Sequence, residues 1–163
     1  MISADGRLGQ SKRKSRSDPQ FVKLYLTNPD LIYADKFKLP RHGQGILLHC
    51  LREVFADVYG IEDIQYTQYG KPEELTFDYA EKLLLQKAHD QGVDISRFYM
   101  IGDNPEGDIE GANRKGWESI LVRTGIFESS EPNHPNHPAK HVVKDMNEAL
   151  QLICKNEGLN LKF

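Results

Sequence analysis

The chain has 163 residues, enough for one domain or for a domain with a fragment of a second. With 39% hydrophobic and 28% charged residues it has a soluble globular balance, slightly on the polar side, and a net charge of −3 gives no reason to expect a nucleic-acid surface. Cys50 and Cys154 are too few and too far apart for a disulfide framework and read as reduced thiols of an intracellular protein; no apolar run reaches the length of a membrane span, and no signal-peptide core follows Met1.

Residues 1–20 are polar, with a basic cluster at Lys12, Arg13, Lys14 and Arg16 and too few apolar side chains for a core. They are expected to be disordered; a targeting or nucleic-acid arm and a solvated loop both fit the cluster. From Phe21 to Leu26 apolar and polar residues alternate and then meet Thr27-Asn28-Pro29-Asp30, a strand followed by turn chemistry. Pro40 to Gly45, P-R-H-G-Q-G, is expected to be irregular. Ile46, Leu47, Cys50, Leu51, Val54, Phe55 and Val58 then recur at helical spacing, and Gly60 ends that helix. Ile64 to Tyr69 is short and β-rich. In Gly70-Lys71-Pro72, the proline suits the first position of a helix running through Leu75, Tyr79, Leu83 and Leu84 to about Gln91, with Gly92 as the stop. Lys71 then sits just ahead of a helix N-terminus, a place that favours anions, although an ordinary surface lysine fits there too.

Phe98 to Asp108 reads F-Y-M-I-G-D-N-P-E-G-D. Phe98 to Ile101 form a short buried-strand pattern, Gly102 breaks it, and Asp103 falls where the strand ends. Ile109, Ala112 and Trp117 begin a helical rhythm, so Asp103 and Asp108 share one strand-to-helix turn at the carboxyl edge of a parallel sheet, where open α/β folds bind ligands. Two acids that close repel each other unless a cation lies between them, and hard oxygen ligands suit Mg²⁺. A solvated turn with two surface acids is the alternative.

A helix is expected over Pro105 to Lys115, closed by Gly116, and a strand over Glu118 to Arg123, ending at Thr124-Gly125. Glu128 to Ala139 is a loop with N-H-P twice; His134 and His137 form a pair of the kind that binds metal, but no third ligand is apparent and a flexible loop fits as well. His141 to Val143 reads as a last strand, and Asp145 as the cap of a final helix bearing Met146, Ala149, Leu150 and Ile153. Alternation of this kind predicts an α/β fold, a parallel sheet with helices on both faces.

Taken together, G-K-P, the later I-G-D-N-x-x-x-D-I-x-G-A and S-I-L-V-x-T-G resemble the haloacid dehalogenase (HAD) superfamily, in particular its C2-capped class IIA phosphatases of the NagD and para-nitrophenyl-phosphatase type. N-P-D-L-x-Y, L-P-R-H-G-Q-G and Y-G-K-P-E-E-L-T-F-D-Y-A look closest to the haloacid dehalogenase-like hydrolase domain-containing 5 (cat eye syndrome critical region) subgroup. The resemblance covers about Phe21 to Leu152 and implies the second half of a Rossmannoid three-layer α/β/α core with the end of a C2 α/β cap. It divides the chain into the basic segment 1–20, a cap remnant 21–64, the C-terminal half of the core 65–155 and a tail 156–163. By the same resemblance Lys71 is the catalytic lysine that contacts the phosphoryl group. Asp103 is a Mg²⁺ ligand, Asp108 supports the metal or orients Lys71, and Asn104 touches metal-bound water. The implied cofactor is Mg²⁺, the implied substrate a phosphorylated small molecule, and the implied compartment the mitochondrion, with the cytoplasm as the alternative.

The family's nucleophile is the first aspartate of D-x-D-G, and a Ser or Thr motif follows the next strand. Asp5-Gly6, in S-A-D-G-R-L-G, mimics the end of the first motif, but Ser3 stands at the nucleophile position and only Met1 and Ile2 precede it. The chain is therefore expected to begin inside the cap, to lack the nucleophile, and to expose the edge of the Phe98 to Ile101 strand, through which copies could associate. Three readings follow: a phosphate-monoester hydrolase by family that is inactive alone; a non-catalytic or partner-complemented Mg²⁺- or phosphate-binding protein; and a receiver-like phosphate-binding module, which leaves N-P-D, P-R-H-G-Q-G and G-K-P unexplained.

Overall fold

The structure, a computed structural model, describes residues 20, 22–33, 35–60, 64–127 and 130–160. The expectations for residues 1–19 and for the end of the tail lie outside these. The element order is β1 (Leu24–Leu26), β2 (Ile32–Tyr33), β3 (Arg41–His42), α1 (Gln44–Tyr59), β4 (Tyr66–Gln68), α2 (Glu74–Asp90), β5 (Tyr99–Gly102), a π-helical turn (Pro105–Ile109), α3 (Glu110–Arg114), β6 (Glu118–Val122), β7 (His141–Val143) and α4 (Met146–Asn156). Among the described residues, no helix is long and apolar enough to cross a membrane. The chain divides into two units, with the boundary in sequence between Gly70 and Lys71.

In the first unit β1 pairs in parallel with β4, and β2 pairs antiparallel with β3. The Asn28 side chain accepts a bond from the Asp30 N–H at 2.8 Å, forming the turn that N-P-D predicts. P-R-H-G-Q-G is not irregular throughout: Arg41 and His42 form β3, and α1 already begins at Gln44. Close backbone approach is the reason. Gly43 N–H donates to Leu31 O at 2.8 Å and Gly45 N–H to Asp30 O at 3.0 Å. A Cβ at Gly43 would overlap Asp30 O, and one at Gly45 would overlap Pro29 O. The two glycines thus seat the start of α1 against the N-P-D turn. Gly60 ends α1 in the left-handed conformation, with φ 60°.

In the second unit the three strands run parallel in the order β5-β6-β7. Alternate side chains of the strands supply both faces. Ile120 and Val122 of β6 pack with Ala149 of α4, joined by Tyr99, Ile101 and Val143. On the other face Leu121 packs with Ile109, Phe127 and Ala139. Beside them Trp117 meets Phe77 of α2 and Ala112 of α3, with Phe98 and Met100 against them. Trp117 stacks on Phe98 at 5.0 Å and meets Phe77 edge-on at 5.5 Å. The result is a three-layer α/β/α arrangement, and the nearly continuous apolar run of β6 is what a strand covered on both faces requires.

Two helices differ from the sequence reading. Pro72 does not open α2; the Lys71–Pro72 bond is cis, and the helix begins at Glu74. Leu75, Tyr79, Leu83 and Leu84 are exposed, while Phe77 and Ala88 form its buried positions. A Cβ at Gly111 would overlap the Phe77 ring, so α3 approaches α2 on that face. In α4, Ala149 and Cys154 are buried and Leu152 and Ile153 pack beside them, whereas Met146 and Leu150 are exposed. Asp145 caps α4 as expected, accepting from Glu148 N–H at 3.1 Å.

Among the described residues β5 has one strand neighbour, β6, and an open outer edge. The purified chain is expected to associate as its concentration rises, read by size-exclusion chromatography with light scattering. A concentration-independent monomer that melts cooperatively and reversibly would contradict this. Asp145→Ala is expected to lower stability by about 1 kcal/mol in urea unfolding of the dilute chain.

Candidate functional site

Gly102, the last residue of β5, ends the apolar run, and the chain turns away from the sheet at Asp103 and Asn104. Both carboxylates of the acidic turn are fixed at this carboxyl end of the sheet, each by different neighbours. Asp103 Oδ2 accepts the Ile126 N–H at 2.8 Å, and its main-chain O accepts the Phe127 N–H at 3.2 Å. Those donors lie just past β6, so the loop leaving one strand clamps the acid at the end of the next. Among the described residues Asp103 Oδ1 carries no hydrogen bond. A Cβ at Gly125 would overlap the Asp103 carboxyl group, so the T-G that ends S-I-L-V-R-T-G leaves that acid its space.

Asp108 lies inside the π-helical turn with its side chain only 3% exposed. A buried carboxylate is costly unless its oxygens are paired. Both are: Lys71 Nζ donates to Oδ1 at 2.5 Å, and Asn104 N–H donates to Oδ2 at 3.2 Å. A Cβ at Gly102 would overlap the Asp108 carboxyl group. The Lys71 side chain is 43% exposed, while its ammonium holds a buried acid. Asn104 Oδ1 accepts from Glu106 N–H at 3.0 Å and Gly107 N–H at 3.3 Å, capping the turn. This cap engages the oxygen through which Asn104 would approach a bound ion's water shell.

One further lysine braces the frame. Lys115, at the end of α3, donates to Asp78 at 2.8 Å and lies 2.6 Å from Glu81, both on α2. Its hydrogen bonds to Asp78 and then Glu81 raise its ammonium's affinity for the proton well above the ordinary lysine range. The helix that follows Lys71 is thereby tied to the helix that follows Asp108.

The structure therefore brings together Lys71, Asn104 and Asp108, and places Asp103 at the end of the same strand. The sequence marks Gly102 and Gly125 only as strand ends; the room they leave for the two acids, and the Ile126 N–H, appear only in the fold. A glycine beside each acid was the available signal, but what it touches depends on where β6 ends relative to β5. His134 and His137 stack with ring centroids 5.6 Å apart, and His134 Nδ1 accepts the His137 N–H at 3.1 Å. Among the described residues no group of three or more His, Cys, Asp or Glu is placed to hold a metal ion, so the histidine pair has no third ligand of that kind. The loop around it is instead organised by Asn133, whose side chain bonds His134 N–H and both main-chain groups of Ala139.

Mg²⁺ is commonly held by one or two carboxylates, water and substrate phosphate, rather than by an all-protein cage. The residues fit that pattern: Asp103 offers an open, fixed carboxylate oxygen, and Asp108 adds a second negative charge already balanced by Lys71.

Comparison with known proteins places these features in context. Residues 68–149 match the HAD-hydrolase-like family. Over 91% of its length the chain is 42% identical to a cardiolipin synthase (CMP-forming) / mitochondrial hydrolase fusion protein of Schizosaccharomyces pombe, of which it spans 24%. Over 83% it is 32% identical to the bovine phospholysine phosphohistidine inorganic pyrophosphate phosphatase, of which it spans 47%. Among solved structures, 80% of the chain superposes on 46% of the p-nitrophenyl phosphatase of Archaeoglobus fulgidus, with TM-score 0.52 and 19% identity, a likeness of fold. The chain thus spans from a quarter to about half the length of the curated relatives it matches.

Lys71→Met is expected to destabilise the chain by about 1–3 kcal/mol, because it strands a buried carboxylate. Lys71→Met combined with Asp108→Asn is expected to recover part of that loss. Urea unfolding of the wild type, both single variants and the double variant measures the coupling; additive losses would contradict the pairing.

Proposed function

Because the chain belongs to the HAD-hydrolase-like family, we propose that it is the C-terminal portion of a Mg²⁺-dependent phosphate-monoester hydrolase, carrying the charge-stabilising half of that active site. The observation that carries this reading is the Lys71 ammonium 2.5 Å from the buried Asp108 carboxylate, at the strand end that also bears Asp103. A phosphoryl group passing between two oxygens gathers negative charge on its outer oxygens, and fixed positive charge lowers that barrier. Asp108 holds the Lys71 ammonium in place, and the exposed part of that side chain is free to meet an incoming phosphoryl oxygen. Asp103, fixed by the Ile126 N–H, would offer its open oxygen to a divalent ion. Mg²⁺ held there would supply a second positive charge to offset that of the phosphoryl group.

In this reading residues 21–64 belong to the cap and 65–155 to the core. The aspartate nucleophile of D-x-D-G is not found among the 163 residues, so the chain alone does not turn over phosphate esters. It gains activity only with a polypeptide that supplies that motif. The substrate class is a phosphorylated small molecule; the bovine relative's name extends the class to phosphoamides and pyrophosphate. Mitochondrial residence is proposed from the name of the fission-yeast relative, with the cytoplasm as the alternative.

The chain with Mg²⁺ is expected to release no phosphate from an aryl phosphate or from pyrophosphate. Adding a separately produced first half bearing D-x-D-G is expected to restore hydrolysis, and Asp103→Asn to reduce the restored rate by on the order of 100-fold or more. Turnover by the chain alone, lost in Asp103→Asn, would overturn the division of labour. Independently of turnover, Gly125→Ala is expected to displace the Asp103 carboxylate and weaken Mn²⁺ binding, read by electron paramagnetic resonance, by about tenfold or more.

A further inference from the structure

Lys115 holds two acids at once, Asp78 at 2.8 Å and Glu81 at 2.6 Å. Its side chain is only 20% exposed. An isolated surface ion pair adds little to stability. A cation shared by two acids constrains geometry in addition. Asp78 and Glu81 stand at positions i and i+3 of α2, on one face, where like charges repel without a cation between them. The backbone of Lys115 is itself fixed. Its N–H donates to Gly111 O at 3.2 Å, and Gly116, with φ 73°, turns the chain so that Trp117 N–H reaches Ala112 O at 2.9 Å. An anchored ammonium that touches two points of α2 limits both the height of that helix along α3 and its rotation about its own axis.

The apolar contacts between the helices constrain less. Phe77 against Gly111 and Trp117 sets how closely they approach, but apolar attraction is non-directional. Lys71 lies three residues ahead of α2, and Asp108 two residues ahead of α3. The height of one helix against the other therefore decides how ammonium and carboxylate meet. A slip by one residue's rise, about 1.5 Å along the line of that contact, would carry it from 2.5 Å past the usual hydrogen-bond range.

We propose that Lys115 is a positioning residue: by bridging Asp78 and Glu81 it fixes α2 along α3 and so holds the Lys71 ammonium against Asp108. What Lys71 then does for a phosphoryl group rests on the phosphatase reading; the pairing itself is measured without turnover.

Urea unfolding of the dilute full chain gives the Lys71–Asp108 coupling from a double-mutant cycle, repeated with Lys115→Met and with Lys115→Arg. The coupling is expected to fall to about half or less with Met and to be largely retained with Arg, which keeps a cation between the two acids. A residue that only adds stability would lower all four members alike; unchanged coupling with Met, or an equal loss with Arg, overturns the proposal. Asn104 N–H donates to the other Asp108 oxygen, so its NMR resonance reports on that carboxylate. It is expected to move in Lys115→Met in the same direction as in Lys71→Met, and a resonance that stays in place also overturns the proposal. If Lys115→Met does not fold, Asp78→Asn with Glu81→Gln cuts the same bridge from α2 and is read in the same two ways. With a first half bearing D-x-D-G, Lys115→Met is expected to lower the restored rate on the order of tenfold, and Lys115→Arg to keep it near wild type. Absence of turnover in the wild-type mixture would count against the phosphatase reading alone, because coupling and resonance still decide the role of Lys115.

Discussion

A carboxylate deprived of water must find its charge compensation in the protein, and Asp108 finds it in Lys71. That single requirement organises the second unit's upper rim. Lys71 precedes α2, and Asp108 sits in the turn after β5, 37 residues later in the chain. For the two to meet, α2 must run alongside α3. The contact of Phe77 with Gly111 and the reach of Lys115 to Asp78 and Glu81 bring this about. The ion pair is therefore as much a product of helix packing as of electrostatics.

Much of this was legible in the sequence. β6 and β7 fall at the apolar runs that announce them, Asp145 caps the last helix, and Gly60 and Gly92 stop the first two. The strand-to-helix turn carrying Asp103 and Asp108 is where a short buried run followed by glycine places it. What could not be read was which side of a helix faces inward. Leu75, Tyr79 and Leu83 recur every fourth residue and look like a core stripe, yet Phe77 and Ala88 are the buried positions. Periodicity reports that a helix has a greasy side; it does not report the partner, and here an aromatic cluster around Trp117 selects the other side. The lysine's position was foreseen relative to α2, and the family resemblance already joined it to Asp108 as one of two alternatives; the cis bond after it is a property of the folded chain.

The glycines show the same boundary between local and non-local information. Gly43 and Gly45 are unremarkable in P-R-H-G-Q-G until the N-P-D turn lies against them. Gly102 and Gly125 likewise acquire meaning from the acids that occupy their missing side chains. Motifs far apart in sequence, which jointly resemble one family, become pairs of touching surfaces in the fold. A loop motif and a turn motif form the hairpin base, and a strand end and an acid form the rim. The family's pattern is in this sense a record of backbone contacts more than of reactive groups.

The clamp on Asp103 has an implication for strand alignment. Its carboxylate and its carbonyl are both held by successive amides, Ile126 and Phe127, that belong to the chain leaving β6. In a parallel pair a slip by one residue moves the neighbouring strand's exit by roughly 3.3 Å and reverses the side to which each amide points. Neither bond would survive such a slip. The acid proposed as a cation ligand thus also serves as an end-stop, so that its position reports on the alignment of the sheet beneath it.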